Sequence, residues 1–485
     1  VIAIAAALVV LGLPATSGAA SQKVDVRDNY FVPQEVHIDP GDSVVWTNVG
    51  ARTHTVTSDT GDFESGTMDS GESFTHTFQE EGYYYYHCRF HGGRQSGMWG
   101  VVIVGNPPPP EEDDGPKSDR PTIVVPKDYP TIQKGVDHAK PGSTVLIRPG
   151  VYHESVSVTT NRLVIKGVDR FRTILHGRDK MDSGFIVDGA NHVTIANLTA
   201  RNYVGNGVFY NNAHDYVVKR VDAIKDRTYG IYVYNSYRGV FKDSFAWGSG
   251  DSGFYVGSCL GCSALIENVH AEKNFLGYSG TNATGVVIRN STWVHNGAGI
   301  VPNTLPTEDF PPNRGTYIIN NVVKANNYET IPEAGFSSTV GIPFGTGVFL
   351  AGVQNNSVRN NLITDNKRYG VLVSESIDPR SVPINNTVVF NTIRNSGRYD
   401  LAYSGGGAND CFSGNHLEGE TGPPEIETLY ACSARPFVGT PYPPVAADVV
   451  MSLTYVKTRE QKEPPEPRRP SCQAGAPGCR RGHTH

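Results

Sequence analysis

The chain has 485 residues, more than one compact domain usually holds, so two or more folding units are expected. Gly at 53 positions, only 4 Met and 38% hydrophobic residues favour short strands and tight turns over long helices. A net charge of −6 disfavours nucleic acid as a partner, and the expected fold class is all-β.

Residues 1–20, VIAIAAALVVLGLPATSGAA, read as the core of an incomplete signal peptide with a cleavage site near Ala19 or Ala20. The stretch is short for a bilayer span and is broken by Pro14. An exported protein is expected, secreted, periplasmic or on the cell surface, with no membrane span in the mature chain.

Residues 22–105 hold 12 Asp and Glu against 5 Lys and Arg, net −7, which suits basic protein partners. Short alternating runs (EVHID, SVVWTN, SFTHTF, YYYYH, GVVIV) separated by Gly and Asp predict a small β-sandwich. In the run Tyr83–Tyr86, alternate rings are expected to face the core.

Seven cysteines are an odd number for an oxidising compartment. Cys259 with Cys262, Cys411 with Cys432 and Cys472 with Cys479 form local couples suited to disulfides, which leaves Cys88 alone. Near Cys88 stand His91 and Met98, with His54 far upstream in ARTHTVTS. Two imidazoles, a thiolate and a weak thioether are the trigonal set with a long axial ligand that suits copper in electron transfer. The partner of Cys88 is then a metal. His37, His76 and His87 lack such support and are read as structural or solvent-facing.

The motifs FVPQEVHIDPGDSVVWTN, THTV and YYYYHCRFHGGRQSGM resemble the cupredoxins of the plastocyanin and amicyanin type over residues 24–104. The resemblance implies copper ligands His54, Cys88, His91 and Met98, one-electron redox chemistry, and a redox partner docking around the exposed histidine. Phe90, Met98 and Trp99 are candidates for that apolar surface. The interval from His91 to Met98 is longer than in amicyanin-like members, so Gln95 is an alternative axial donor.

Residues 106–120, Pro-rich and acidic, read as an extended linker. Beyond it, residues 121–440 are close to neutral and carry a register of glycines: Gly184, Gly207, Gly230, Gly253, Gly277, Gly299, Gly347 and Gly370. The first five intervals are 23, 23, 23, 24 and 22 residues, which predicts a right-handed parallel β-helix with about three short strands per turn. The interval from Gly299 to Gly347 reads as two turns with long loops. Val208 and Tyr210, Ile231 and Val233, and Phe254 and Val256 are the expected inward pairs. Asn197, Asp243, Asn268, Asn290 and Asn360 are expected to form a hydrogen-bonded ladder at a turn.

In the stretch DYPTIQKGVDHAKPGSTVLIRPGVYHESVSV, Thr131 can cap a short helix that closes the open end of the coil. This stretch resembles the opening segment of pectin-lyase-like β-helix proteins. That superfamily includes pectate lyases, alginate epimerases and the periplasmic copper-maturation protein of nitrous oxide reductase. The resemblance implies a fold, not an activity.

Lys225, Asp226, Arg227, Asp251, Lys273 and His295 follow the second strand in neighbouring turns and are candidates for one polar rim. Phe209, Tyr232 and Tyr255 share one offset from the register glycine and are expected to face outward as an aromatic ladder for sugar rings. Residues 441–485, with Cys472, Cys479, His483 and His485, read as a disordered tail. The leading functional reading is an exported blue copper electron carrier whose β-helix binds a polysaccharide or protein surface. The alternatives are a polysaccharide lyase or epimerase with an accessory copper domain, and a copper-delivery protein.

Overall fold

The period-2 alternation of the first unit becomes two four-stranded sheets. One has Ser21–Arg27 and Ser43–Asn48 at its centre, and the other has Ser96–Val104 and Gly82–Gly93. The computed structural model describes residues 21–28, 30–33, 35–93, 96–105, 121–329, 343–376 and 381–452. The expected signal peptide, linker, Cys472–Cys479 couple and Gln95 lie outside these. Tyr84 and Tyr86 turn inward as expected, Tyr86 packing edge-on to Trp46 and Phe31 in the core between the sheets.

From Thr122 onward the chain winds into parallel coils. One face of the solenoid is a sheet of eleven parallel strands, from Val156–Val158 to Thr421–Gly422. In register across it, Val208 pairs with Ile231 and Ile231 with Phe254, so the predicted inward pairs stack and are fully buried. The helix Ile132–Asp137 covers the open end, with Lys134 N–H donating to Thr131 Oγ1 at 3.2 Å. The carboxylate of Glu154 accepts from Ile132 N and Gln133 N at 3.0 and 2.9 Å, so the first turn of the helix is satisfied.

The register glycines have a steric cause. A Cβ on Gly184, Gly207 or Gly230 would lie 2.5–2.7 Å from the carbonyl oxygen of the glycine one coil further on. Strand spacing in a parallel stack is fixed at about 4.8 Å, so the coils cannot part to admit it.

Three expectations need correction. Ala298–Asn303 pairs directly with Thr346–Ala351, so the long interval is one coil with inserted loops rather than two. The expected ladder holds in part: Asn197, Asp243, Asn268, Asn290 and Asn360 all take left-handed backbone conformations (φ 50–56°), and of them Asn268 Nδ2 donates to Asp243 Oδ1 at 2.5 Å. The buried ladder begins one position later, where Asn321 N donates to Asn361 Oδ1, Asn361 N to Asn391 Oδ1 and Asn391 N to Asn415 Oδ1, at 2.9–3.0 Å. A residue entering αL swings the next side chain inward, so the asparagine that turns the chain and the one that ties the coils are neighbours. Finally, the expected disordered tail opens with a helix, Pro443–Ser452, whose Val445 is buried in an apolar cluster with Phe349, Leu372 and Ala402.

Two of the expected disulfides are formed, Cys259–Cys262 and Cys411–Cys432, and Cys88 is a buried free cysteine. Because the glycine register is a backbone contact, Gly230→Ala should destabilise the β-helix by about 1–3 kcal/mol. The thermal unfolding transition of the solenoid measures this. An unchanged midpoint would show that the stack can yield at this point.

Candidate metal centre and the outer face of the solenoid

Cys88 and His91 are three residues apart, and in an unbroken strand they would point to opposite faces. The ladder between Gly82–Gly93 and Ser96–Val104 breaks its register between His87 and Gly92. His87 pairs with Trp99 and Gly92 with Gly97, so four residues bulge opposite Met98 alone. The bulge re-aims both side chains to one side. His54 comes from the segment just before Thr57–Ser58, which pairs with Gly82–Gly93 where Thr57 meets His87, and it is pinned by paired backbone hydrogen bonds to Met68 at 3.0 and 2.8 Å.

The three ligand atoms form a triangle. Cys88 Sγ lies 3.7 Å from His54 Nδ1 and 3.5 Å from His91 Nδ1, and the two nitrogens are 3.1 Å apart. Trigonal coordination at metal–nitrogen and metal–sulfur lengths of about 2.0 and 2.3 Å requires sides of about 3.5 Å for N···N and 3.7 Å for S···N. The residues therefore fit a metal ion. His54 and Cys88 are fully buried, His91 is half-buried, and Phe90 beside it is 58% exposed.

The surroundings hold this geometry in advance. Thr55 N–H points at Cys88 Sγ at 3.4 Å, and Arg89 N donates to Thr55 Oγ1 at 2.9 Å. Asp28 accepts from Arg52 N at 3.0 Å, from Ala51 N at 3.3 Å and from His54 Nε2 at 3.2 Å. That last contact leaves Nδ1 of His54 free to face the metal. Burial raises the Asp28 carboxyl, but the Arg52 and Ala51 amides and the His54 ring outweigh it and hold its pKa below the ordinary value. At His91, burial first and then the charges of His54 and Arg52 depress the pKa of the ring.

Of the other histidines, His87 is tied to Asp59 at 2.6 Å, His76 packs between Phe63 and Phe78, and His37 is exposed. Phe90 is the one member of the expected docking surface that stands exposed beside His91. Met98 is buried, and Trp99 packs on Tyr85.

On the β-helix the expected polar rim divides. Lys225 and Lys273 each lie over the Trp247 ring, and His295 reaches Glu272. Arg227 is exposed, and Asp226 is buried, accepting from Tyr203 N. Asp251 belongs instead with the aromatic row. Phe209 and Tyr232 stack at 4.8 Å with planes 12° apart, and Tyr255 lies 4.9 Å from Tyr232. All three face outward, but Tyr255 is covered and only 4% exposed, whereas Phe209 and Tyr232 are half-buried. Tyr229 also stacks on Tyr232, at 4.4 Å. Neither Tyr229 nor Glu308, which approaches from an inserted loop, was legible as a site residue. Tyr229 directly precedes the register glycine Gly230, which was the available signal.

A second set of potential ligands, His192, His214 and Asp215, is engaged by a resident cation. The Arg238 guanidinium donates to both oxygens of Asp215 at 2.8 Å.

Two four-stranded sheets with a His-Cys-His triangle, buried at His54 and Cys88, define a cupredoxin, and stacked parallel coils define a β-helix. Residues 19–105 match the copper binding proteins of the plastocyanin/azurin family, and residues 183–342 match the right handed beta helix region. The chain thus joins a cupredoxin domain to a right-handed β-helix. Among solved structures, a purple cupredoxin from Nitrosopumilus maritimus is 28% identical, covering 17% of this chain and 99% of its own, with a TM-score of 0.16. The A-module of an Azotobacter vinelandii mannuronan C-5 epimerase is 16% identical over 57% of this chain and 87% of its own, with a TM-score of 0.40. An alginate lyase from a Paenibacillus species is 15% identical over 62% and 98%, with a TM-score of 0.41. No curated protein sequence matches the chain.

Burial is the main cause that lifts the Asp251 pKa to about 7; the Ser252 and Tyr229 hydroxyls oppose it and the Glu308 charge adds to it. A raised carboxyl binds its proton more tightly folded than unfolded, so between about pH 4 and 7 its stabilising contribution is lost as pH rises. Asp251→Asn should remove that part of the decline, up to about 4 kcal/mol. Calorimetric melting at pH 4.5 and 7.5 checks it, and an equal loss in both proteins would place the carboxyl in water.

Proposed function

We propose that this is an exported type 1 copper protein whose cupredoxin domain carries one electron at a time and whose β-helix binds a polysaccharide. The observation that carries the redox part is the Cys88–His54–His91 triangle, matched to trigonal coordination before any metal arrives. Copper held by thiolate and imidazole changes oxidation state with little ligand movement. His54, Cys88 and His91 would hold the ion, and Met98, 1% exposed and opposite the bulge, would offer it a thioether sulfur. The half-buried His91 with exposed Phe90 offers a redox partner the shortest approach.

No helix among the described residues is long and apolar enough to cross a membrane. The residue 1–20 segment supports export.

The polysaccharide part rests on the half-buried, stacked rings of Phe209 and Tyr232, a flat face on the outside of the coil. A lyase or epimerase would need a base together with positive charge or a metal beside the sugar carboxylate. The groups whose charges reach Asp251 and its tyrosines are acids and other tyrosines, so binding is the reading favoured here.

Loaded with Cu(II), the protein should be intensely blue, and Cys88→Ser should abolish the colour because a hydroxyl cannot replace the soft thiolate. Survival of the band in that variant would refute the site. Met98→Leu should keep copper and shift the midpoint potential, and an unchanged potential would remove Met98 from the ligand set. Tyr232→Ala should cost glycan affinity of order 1 kcal/mol by isothermal titration. A drop in melting temperature with no change in glycan binding would make the ring purely structural.

A further inference from the structure

The outer face of the eleven-stranded sheet changes character along its length. One outward row runs Phe209, Tyr232, Tyr255, Ser279 and Val301, coil by coil. Its aromatic half ends at Tyr255, and beyond it Val301, Phe349 and Leu372 are sealed in the apolar cluster that includes Val445. In the described part of that row, ring surface is accessible on Phe209 and Tyr232, with Tyr229 and Tyr234 beside them, all half-buried.

The inserted loop that follows Asn303 borders that place, and it is tied down. Asn282 accepts from Leu305 N at 3.0 Å and donates to the Leu305 and Glu308 carbonyls at 2.8 and 3.3 Å. Thr304 Oγ1 donates to Gly352 O at 2.8 Å. The loop thereby presents two acids: Glu308 accepts from Ser258 Oγ at 3.4 Å, and Asp309 accepts from the Tyr234 hydroxyl at 3.1 Å. Asp251 lies beneath them against Tyr229.

The groups whose charges shift Tyr229, Tyr232, Tyr234, Tyr255, Asp251 and Glu308 are acids and other tyrosines. Glu308 is exposed as a residue, yet partial burial of its carboxyl raises its pKa, offset in part by Ser258 and reinforced by the Asp309 charge. Carboxyls gathered beside stacked rings repel a polyuronate and attract an ammonium group, which the ring faces also favour.

We propose that this face is a subsite for a glycan of basic amino sugars, whose pyranose ring stacks on Phe209 and Tyr232 while its ammonium group meets Glu308 and Asp309. The proposal rests on the polysaccharide reading above and narrows it to one substrate class. The apolar CH face of the sugar covers the rings, the charged nitrogen supplies a counter-ion to the carboxyls, and a uronate in the same position would bring a fourth carboxylate.

The test is isothermal titration of the full chain with three hexasaccharides: glucosamine, N-acetylglucosamine, and galacturonate with and without calcium. The first two share a backbone and differ in charge, so their contrast isolates the ammonium group. The glucosamine oligomer should bind at least about tenfold more tightly than its acetylated counterpart. The double variant Glu308→Gln, Asp309→Asn should reduce that preference to about twofold or less. Equal binding of the two amino-sugar oligomers, or tightest binding of the uronate in either condition, overturns this proposal and leaves the polysaccharide reading standing. Absence of binding to all three overturns both.

Discussion

Parallel coils stacked at one strand spacing leave no room for a Cβ where the chain enters the eleven-stranded sheet, and most of the β-helix follows from that constraint. The register glycines satisfy it by omission, six of the eight lying against the carbonyl of the next. With the backbones held so close, inward side chains must repeat in kind from coil to coil. Val, Ile and Phe ladders fill the core, and buried asparagines tie successive turns by donating main-chain N–H to side-chain oxygen. An asparagine suits that place because its amide is both donor and acceptor and can bond above and below at once. The same rigidity makes the outside a ruler. A side chain at a given offset reappears at the same height on the next strand, which is how Phe209 and Tyr232 come to stack with nearly parallel planes.

The cupredoxin domain solves a different problem, bringing three ligands from distant parts of a sandwich to within one coordination sphere. Two come from one strand and would diverge if that strand were regular; the register break between His87 and Gly92 makes them converge. The third is fixed by its bridge to Met68 and by Asp28, which takes the far nitrogen of the His54 ring. Backbone amides and a carboxylate thus hold the side chains in place before a metal binds. Such advance placement is what the proposed one-electron role would require, since little ligand movement would then accompany a change of oxidation state.

The acidic tyrosine face shows how an insertion adds chemistry to a repeat. Coils that keep the plain period carry only what the ladder allows. The coil between Ala298 and Thr346 carries extra chain, and that chain brings Glu308 and Asp309 to strands some fifty to seventy-five residues earlier in sequence. The stacked rings are a product of periodicity, and the charges beside them are a product of its interruption.

The sequence by itself determined the all-β class, the two-unit organisation, the glycine period and the grouping of His54, Cys88 and His91. Each of these is written in local alternation, spacing or composition. It also singled out Cys88 by arithmetic and Thr131 as a helix cap. It misjudged the interval from Gly299 to Gly347, because 48 residues match two periods as well as one coil with insertions, and only strand pairing distinguishes them. Of the expected turn ladder the Asp243–Asn268 link is present, but the buried asparagine ladder runs through Asn361 rather than the adjacent Asn360, and two neighbouring asparagines look alike until their backbone angles are known. Asp28, Tyr229 and Glu308 acquired their roles only in three dimensions. Asp28 has no motif linking it to a histidine 26 residues away, and Glu308 stands outside the repeat altogether. Local pattern fixes which face a side chain takes, but which distant group it meets there is decided when loops and coils pack, and no spacing along the chain records that.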